Sequence, residues 1–492
     1  MHHGQINSGY VTVPYVLTAI NGISSLVQTC KQFIVAVPQT IRDTYQLWRN
    51  RNHLIMDDLY QRSAGNNITI AHIGLPFAGL PKIVVIGGNN RNVLQIAAYG
   101  EGETKDPEAR FVFADVAKML GVKTIANVQG AEASEQRRKL KQHILTPSFA
   151  STLKITQYLM QKGLDNWDYT ASFQHNISYI VVNILGKTVY GISQVDSKYI
   201  PRIRNAAGLL FGHNASSKEF ISVQNEIKVM NEQLLSQHAD AIFNGSNYIK
   251  DQVELKGDES REERIEKLIA VRGASGLLVE GNVSGALMIA IACIFESAEI
   301  KQQLRDELSN YLAVHSLNAD DVKGDVHFPY LDCVYKEALR FLTPQAVIAR
   351  KTSVATTLRI EDKDQKVSYY SVPKHSYLFA PIRSIHHDPH YWPNPATFDP
   401  SRFANKANKG LNYYTPFSIG PRSCPAVSGF AEIIIKTAIL KTMEYEIQLN
   451  KKTENIQVGT MHSHWLEEYY ALKVIKRVDL KAGNGVNLSY GL

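Results

Sequence analysis

"PFSIGPRSCPA", residues 416–426, combines turn-forming residues, an arginine and one cysteine, and a helix-forming run, "AVSGFAEIIIKTAILKTMEYE", follows at once. A cysteine at a helix N-terminus lies in the positive end of the helix dipole, which favours its thiolate. Thiolate is the form that binds metal. Backbone N–H groups of the preceding turn can point at such a sulfur, and Arg422 offers a cation to an acidic group of a cofactor.

Two upstream segments bear on Cys424. In "YKEALRFLTP", Glu337 and Arg340 stand three apart on a predicted helix and so share one face. Pairs of this kind are common on solvated faces, and alone this one carries little. In "WPNPATFDPSRF", prolines flank an aromatic-rich, nonhelical stretch that ends on Arg402 and Phe403. Alone, that is a loop.

Taken in order, the segments resemble the cytochrome P-450 haem-thiolate enzymes, from roughly residue 80 to the C-terminus. The cysteine-loop pattern Phe-x-x-Gly-x-Arg-x-Cys-x-Gly stands here as "FSIGPRSCPA", with Phe417, Gly420, Arg422 and Cys424 in place and Ala426 for the last glycine. The Glu-x-x-Arg pattern is matched by "EALR", and the later Pro/Arg/Phe element by "FDPSRF". The resemblance implies a mainly α fold with small β-sheets, haem b lying between a long central helix and the cysteine-loop helix. It implies that Cys424 is the thiolate ligand of the haem iron, and that Glu337, Arg340 and Arg402 form a structural triad under the loop. Arg422, and Arg350 in "VIARKTS", are similar in placement to residues that pair with haem propionates, a task suited to the guanidinium fork. A further propionate contact maps onto "SEQRRKLKQHILTPSF", where Arg138 and Gln142 occupy the sites usually held by Trp or His and by Arg, with Lys141 as a substitute. That helix is strongly basic and in the family faces an acidic electron-transfer partner.

The central helix departs from the family pattern Ala/Gly-Gly-x-Asp/Glu-Thr-Thr. Its run is "EGNVSG", Glu280 to Gly285, and Val283 cannot organise a proton. Ser284 keeps a hydroxyl, and Glu280 lies four residues earlier on the same helical face, so the two are the candidate acid–alcohol pair. The competing reading turns Glu280 away or pairs it with a base. The resemblance implies a monooxygenase that inserts one oxygen atom of O2 into an apolar organic substrate, fed by a separate NAD(P)H-dependent reductase or ferredoxin. Divergence of the central helix leaves three other readings open: isomerase, peroxygenase or nitric-oxide reductase chemistry. A nonenzymatic gas-binding or sensor haem protein is a further one. Substrate-facing stretches map to 205–230, 343–349 and 459–467, containing Phe211, Ala346, Val347, Ile348, Met461 and Trp465, with core packing an equal explanation for each. His462 and His464 are read as solvated.

Composition bounds the rest. Apolar residues make up 44% and charged residues 20%, as in an ordinary globular chain. Lysines and arginines outnumber acids 53 to 46, and a formal charge of +7 over 492 residues does not demand nucleic acid. Cys30, Cys293, Cys333 and Cys424 are too scattered for a disulfide framework or zinc knuckle, which points to a reducing compartment. Pro14, Asn21 and Gly22 interrupt the uncharged N-terminus, so residues 1–50 are read as a separate segment, either a membrane-surface helix or a helix packed on the core. Residues 51–492 are then one catalytic domain. The expected location is intracellular, cytoplasmic or peripheral on a membrane facing the cytoplasm, and the expected state a monomer. Within that domain the longest helical pattern runs from about Arg261 to Ser297, and strands are expected in "PKIVVIGG", "TTLRIEDKDQKVSYYSV" and "YEIQLNKK".

Overall fold

The fold was taken from a computed structural model, which describes residues 68–72, 82–86, 130–145, 149–210, 217–271, 277, 280–352, 354–361, 366–374, 376–419, 423–450 and 471–476. The N-terminal segment 1–50, the triplet Gly420–Arg422, and Phe211, Met461, His462, His464 and Trp465 lie outside them. Seven helices position the site: α1 (Gly130–Leu145), α2 (Phe149–Asp165), α3 (Phe173–Leu185), α4 (Ile200–Leu210), α5 (Glu280–Glu296), α6 (Pro329–Leu342) and α7 (Phe430–Thr442). The mainly helical expectation is met. The expected helix from Arg261 to Ser297 is instead two separate helices, Arg261–Ala270 and α5. Residues 272–276 and 278–279, between them, lie outside the described residues.

Helix α5 is the hub. It packs on α3, α6 and α7, while α7 also lies against α2. From Ala286 to Ile294 every residue is buried, which is what an apolar run without a polar face requires. At Ser297 the chain bends by 105° into the helix Ala298–Leu312, and the Ser297 hydroxyl accepts from the Ile300 N–H to cap it. Among the described residues no single helix is long and apolar enough to cross a membrane.

Helix α6 owes its start to a distant carboxylate. Pro329 fills its first turn, and Glu307 accepts from the Tyr330 and Leu331 N–H groups at 2.7 and 2.9 Å. Leu331, Val334, Ala338 and Leu342 then give it one buried apolar stripe. It stops at Thr343, which is left-handed at φ 51° and returns its N–H to the Leu339 carbonyl.

The strands are β1 (Ile68–His72), β2 (Lys82–Ile86), β3 (Ile348–Lys351), β4 (Thr356–Glu361), β5 (Val367–Val372), β6 (Tyr377–Ala380), β7 (Tyr445–Leu449) and β8 (Ala471–Lys476). One sheet has the order β1-β2-β6-β3, with β2 and β6 parallel and the outer pairs antiparallel. β4 pairs with β5, and β7 with β8, as antiparallel hairpins.

Candidate active site

Cys424 sits where the loop folds back on itself. Its N–H donates to the Phe417 carbonyl at 2.9 Å, and its own carbonyl accepts from Val427 at 3.3 Å. The expected α-helix does not begin at the cysteine. A 3₁₀ turn, Pro425–Ser428, comes first, Gly429 follows at φ 114°, and α7 starts at Phe430. A Cβ at Gly429 would meet the Lys323 side chain at 2.9 Å and the Phe149 ring at 3.5 Å, so glycine answers both the conformation and the space. The N–H groups of Ala426 and Val427 favour the ionised sulfur, as does Arg137, but burial outweighs them and pushes the thiol up. Iron would reverse that balance, since a coordinating thiol is deprotonated outright. The thiolate expected from a helix dipole is thus not favoured in the metal-free chain.

Below the loop, Arg340 is fully buried and grips Glu337 with two bonds, Nε to Oε2 at 2.7 Å and an NH2 nitrogen to Oε1 at 2.8 Å. Arg402 joins from the other side, its Nε 3.4 Å from Glu337 Oε1. The backbone finishes the cluster. Asp399 N–H donates to Glu337 at 2.8 Å, Arg340 donates to the His386 carbonyl at 2.9 Å, and Arg402 donates to the carbonyls of Pro393 and Asn394. Burial pushes the Glu337 carboxyl up, while the bonds from Arg340 and Asp399 and the charge of Arg402 pull it back. The structure therefore brings Glu337, Arg340 and Arg402 together, as expected.

His386 was absent from the sequence reading. It is buried between this cluster and the cysteine loop, with Nε2 accepting the Thr415 N–H at 3.0 Å and Nδ1 3.0 Å from Thr343 Oγ1. Burial, helped by Arg340, pushes it down to about 3, so the ring is neutral.

Helix α1 brings a different arginine to the loop than the one expected. Arg137 donates to the Ser423 carbonyl at 2.5 Å, next to Cys424. Arg138 turns to solvent, its side chain 57% exposed and held by both oxygens of Glu135. Lys141 and Gln142 are exposed as well. Arg350 is buried on β3, opposite Leu378 of β6, and Phe417 packs half-buried on the main core. Ala346, Val347 and Ile348 are buried.

At the start of α5, Glu280 and Ser284 share one face and both are fully buried. That face points to α3 and α4: the groups acting on the Glu280 carboxyl are the Ser284 and Ser178 hydroxyls and the Arg204 guanidinium. Burial wins and pushes the carboxyl up to about 7. Neither oxygen completes a hydrogen bond, and the Ser284 hydroxyl is turned to the Gly281 carbonyl at 3.4 Å. Glu280 and Ser284 thus lie on one buried face without a completed hydrogen bond between them, and Arg204 acts on the acid as in the competing reading.

Residues 276–462 match the family model described as Cytochrome P-450. Cytochrome P-450 3A25 of Mus musculus is 30% identical over 190 residues, 38% of this chain and 35% of that protein. Cytochrome P-450 3A5 of Homo sapiens is 33% identical over 147 residues, 30% of this chain and 27% of that protein. The alignments thus span about a third of the relatives' length. Among solved structures, retinoic acid bound cyanobacterial CYP120A1 superposes with a TM-score of 0.62 at 16% identity, covering 82% of this chain and 92% of that one, which speaks to the fold. Residues 276–462, which include the Glu-x-x-Arg cluster and the cysteine loop, are thus similar in sequence to the cytochrome P-450 family, and the described chain shares the fold of a solved cytochrome P-450.

Proposed function

We propose that the chain is a haem-thiolate monooxygenase that oxidises an apolar organic substrate with O2 and electrons from a separate NAD(P)H-dependent reductase or ferredoxin. The observation that carries this is Cys424: one sulfur, at a loop closed by its own backbone bond and tied through His386 to the buried Glu337–Arg340–Arg402 cluster. The donor set fits haem b. A thiol flanked by two N–H groups would supply the sulfur ligand, and Arg350 and Arg422 would supply cations for two propionates. Bound haem would supply the dioxygen and electron-transfer chemistry, with the thiolate pushing electron density to the iron.

The protein's own residues do the rest. Cys424 would bind the iron, and Arg350 and Arg422 would orient the macrocycle, with Arg138 retained only as a surface cation of α1. Phe417 and Gly420 would shape the floor. Glu337, Arg340 and Arg402 would serve as scaffold for the loop rather than act on substrate. Glu280, whose carboxyl is pushed up to about 7 by burial, would hold a proton beside Ser284 and Arg204. The basic face of α1 would dock an acidic redox partner, and the location would be intracellular, cytoplasmic or at a membrane face.

The test is the ferrous carbon monoxide spectrum of the purified chain. The expected result is the red-shifted Soret band of a thiolate-ligated haem, lost in Cys424→Ser. A chain that purifies without pigment, or a C424S variant with the same band, refutes the reading. Apolar organic compounds that shift the haem spin state would then define the substrate class.

A further inference from the structure

We propose that His386 is a positioning residue for Cys424: its ring joins the end of α6 to Thr415, the residue at which the cysteine loop begins. The proposal rests on the haem-thiolate reading. Its basis is the chemistry of the two ring nitrogens, which do different jobs. Thr415 N–H can only donate, so Nε2, 3.0 Å away, must carry the lone pair. In a neutral ring the proton is then on Nδ1, which donates to Thr343 Oγ1 at 3.0 Å. The Thr343 hydroxyl passes the bond on to the Arg340 carbonyl at 2.6 Å.

The residue is held at its backbone too, because its carbonyl accepts from the Arg340 guanidinium at 2.9 Å. Its ring stacks on Tyr414, centroids 5.5 Å apart and planes 25° apart, and the Tyr414 hydroxyl reaches back to the Lys336 carbonyl of α6 at 3.0 Å. From Thr415 the route to the sulfur is short. Phe417, two residues on, accepts the Cys424 N–H at 2.9 Å. A chain of directional bonds thus runs Arg340, Thr343, His386, Thr415, and then along two residues to the ligand. A histidine kept for bulk would need no such polarity.

Three substitutions separate polarity from bulk. His386→Gln keeps an acceptor near the Nε2 position and so can still meet Thr415. His386→Asn keeps a donor near Nδ1 and loses Thr415. His386→Phe keeps the ring on Tyr414 and loses both bonds. On the purified holoprotein, the ferrous carbon monoxide complex is read as the fraction with the thiolate band against the fraction with the shorter-wavelength, thiol-ligated band, and thermal unfolding is followed by circular dichroism. The expected order of thiolate fraction is wild type, then Gln, then Asn. His386→Phe is expected either to fold with the thiol-ligated band dominant or to lose haem. Should His386→Phe not fold, the Gln and Asn variants decide. If Gln retains no more thiolate band than Asn, or if a folded Phe variant keeps the wild-type band, the positioning role is refuted while the haem-thiolate reading stands. A wild-type chain without pigment refutes that reading itself.

Discussion

The end of α6 and the start of α5 both bury a glutamate completely, and they treat it in opposite ways. Glu337 is met by Arg340, Arg402 and the Asp399 N–H, each within hydrogen-bonding or ion-pairing distance. Glu280 has two serine hydroxyls and an arginine nearby, yet neither of its oxygens completes a bond. A carboxylate whose partners are all in place is fixed in charge and position, and serves as scaffold. One whose partners are near but incomplete can trade its proton, which is what proton handling needs. In the proposed enzyme the first site would serve rigidity and the second proton handling.

The sharpest way to break that contrast is to remove Arg340. Arg340→Leu strands a fully buried Glu337 with only Arg402 and one backbone donor, and breaking a buried pair in this way costs about 3–5 kcal/mol. Against the roughly 5–15 kcal/mol that holds typical domains together, most of the folded, pigment-retaining protein should be lost. Urea unfolding of the variant checks this. A loss below about 1 kcal/mol would show that the cluster is ornament rather than scaffold.

A smaller effect, with a definite sign, is expected at Glu280. Burial pushes its carboxyl up to about 7 in the folded chain, above the 4.5 of a free carboxyl. The unfolded chain therefore releases this proton first as pH rises, and the stability that comes from burying the neutral acid is full below about 4.5 and declines up to about 7. The slope from this one group is at most about 1.4 kcal/mol per pH unit. Glu280→Gln stays neutral throughout and should remove that slope. The measurement is urea stability of both proteins at several pH values, and parallel curves would overturn the assignment of Glu280 as the buried titrating group.

The same contrast marks what the sequence made legible. Phe417, Cys424, Glu337, Arg340 and Arg402 could be read because each lies in a short contiguous pattern that resembles a known family's, although the spacing of each pattern alone said little. His386 could not, because its partners Thr343 and Thr415 are 43 and 29 residues away and nothing in "SIHHDP" distinguishes a histidine bonded at both ends from a solvated one. Its apolar neighbourhood, Ile382 and Ile385 both being buried, was the one signal that could have raised it. The short turn before α7 was also hidden. Pro425 suits a first helical turn equally well, and only Gly429 at positive φ reveals the break. Likewise Glu280 and Ser284 were placed on one face by spacing, but the direction of that face depends on how α5 rolls against α3 and α4, a tertiary property.

Helix roll also decides the smallest of the expected effects. Arg137 and Arg138 are neighbours in α1, about 100° apart around its axis, and only packing chooses which of them reaches the cysteine loop. Arg137 reaches it, donating to the Ser423 carbonyl and favouring the ionised sulfur, while Arg138 is spent on Glu135 in solvent. Arg137→Ala should cost about 1 kcal/mol, the loss of a hydrogen bond from a charged donor at a half-buried site. It should also raise the pH at which Cys424 of the haem-free chain reacts with iodoacetamide, because a charge favouring the thiolate is gone while the burial that opposes it remains. Arg138→Ala should match the wild type in both measurements. If the two variants exchange behaviours, α1 rolls in solution by about one residue from its described orientation, and the cation beside the sulfur is the one the sequence pattern pointed to.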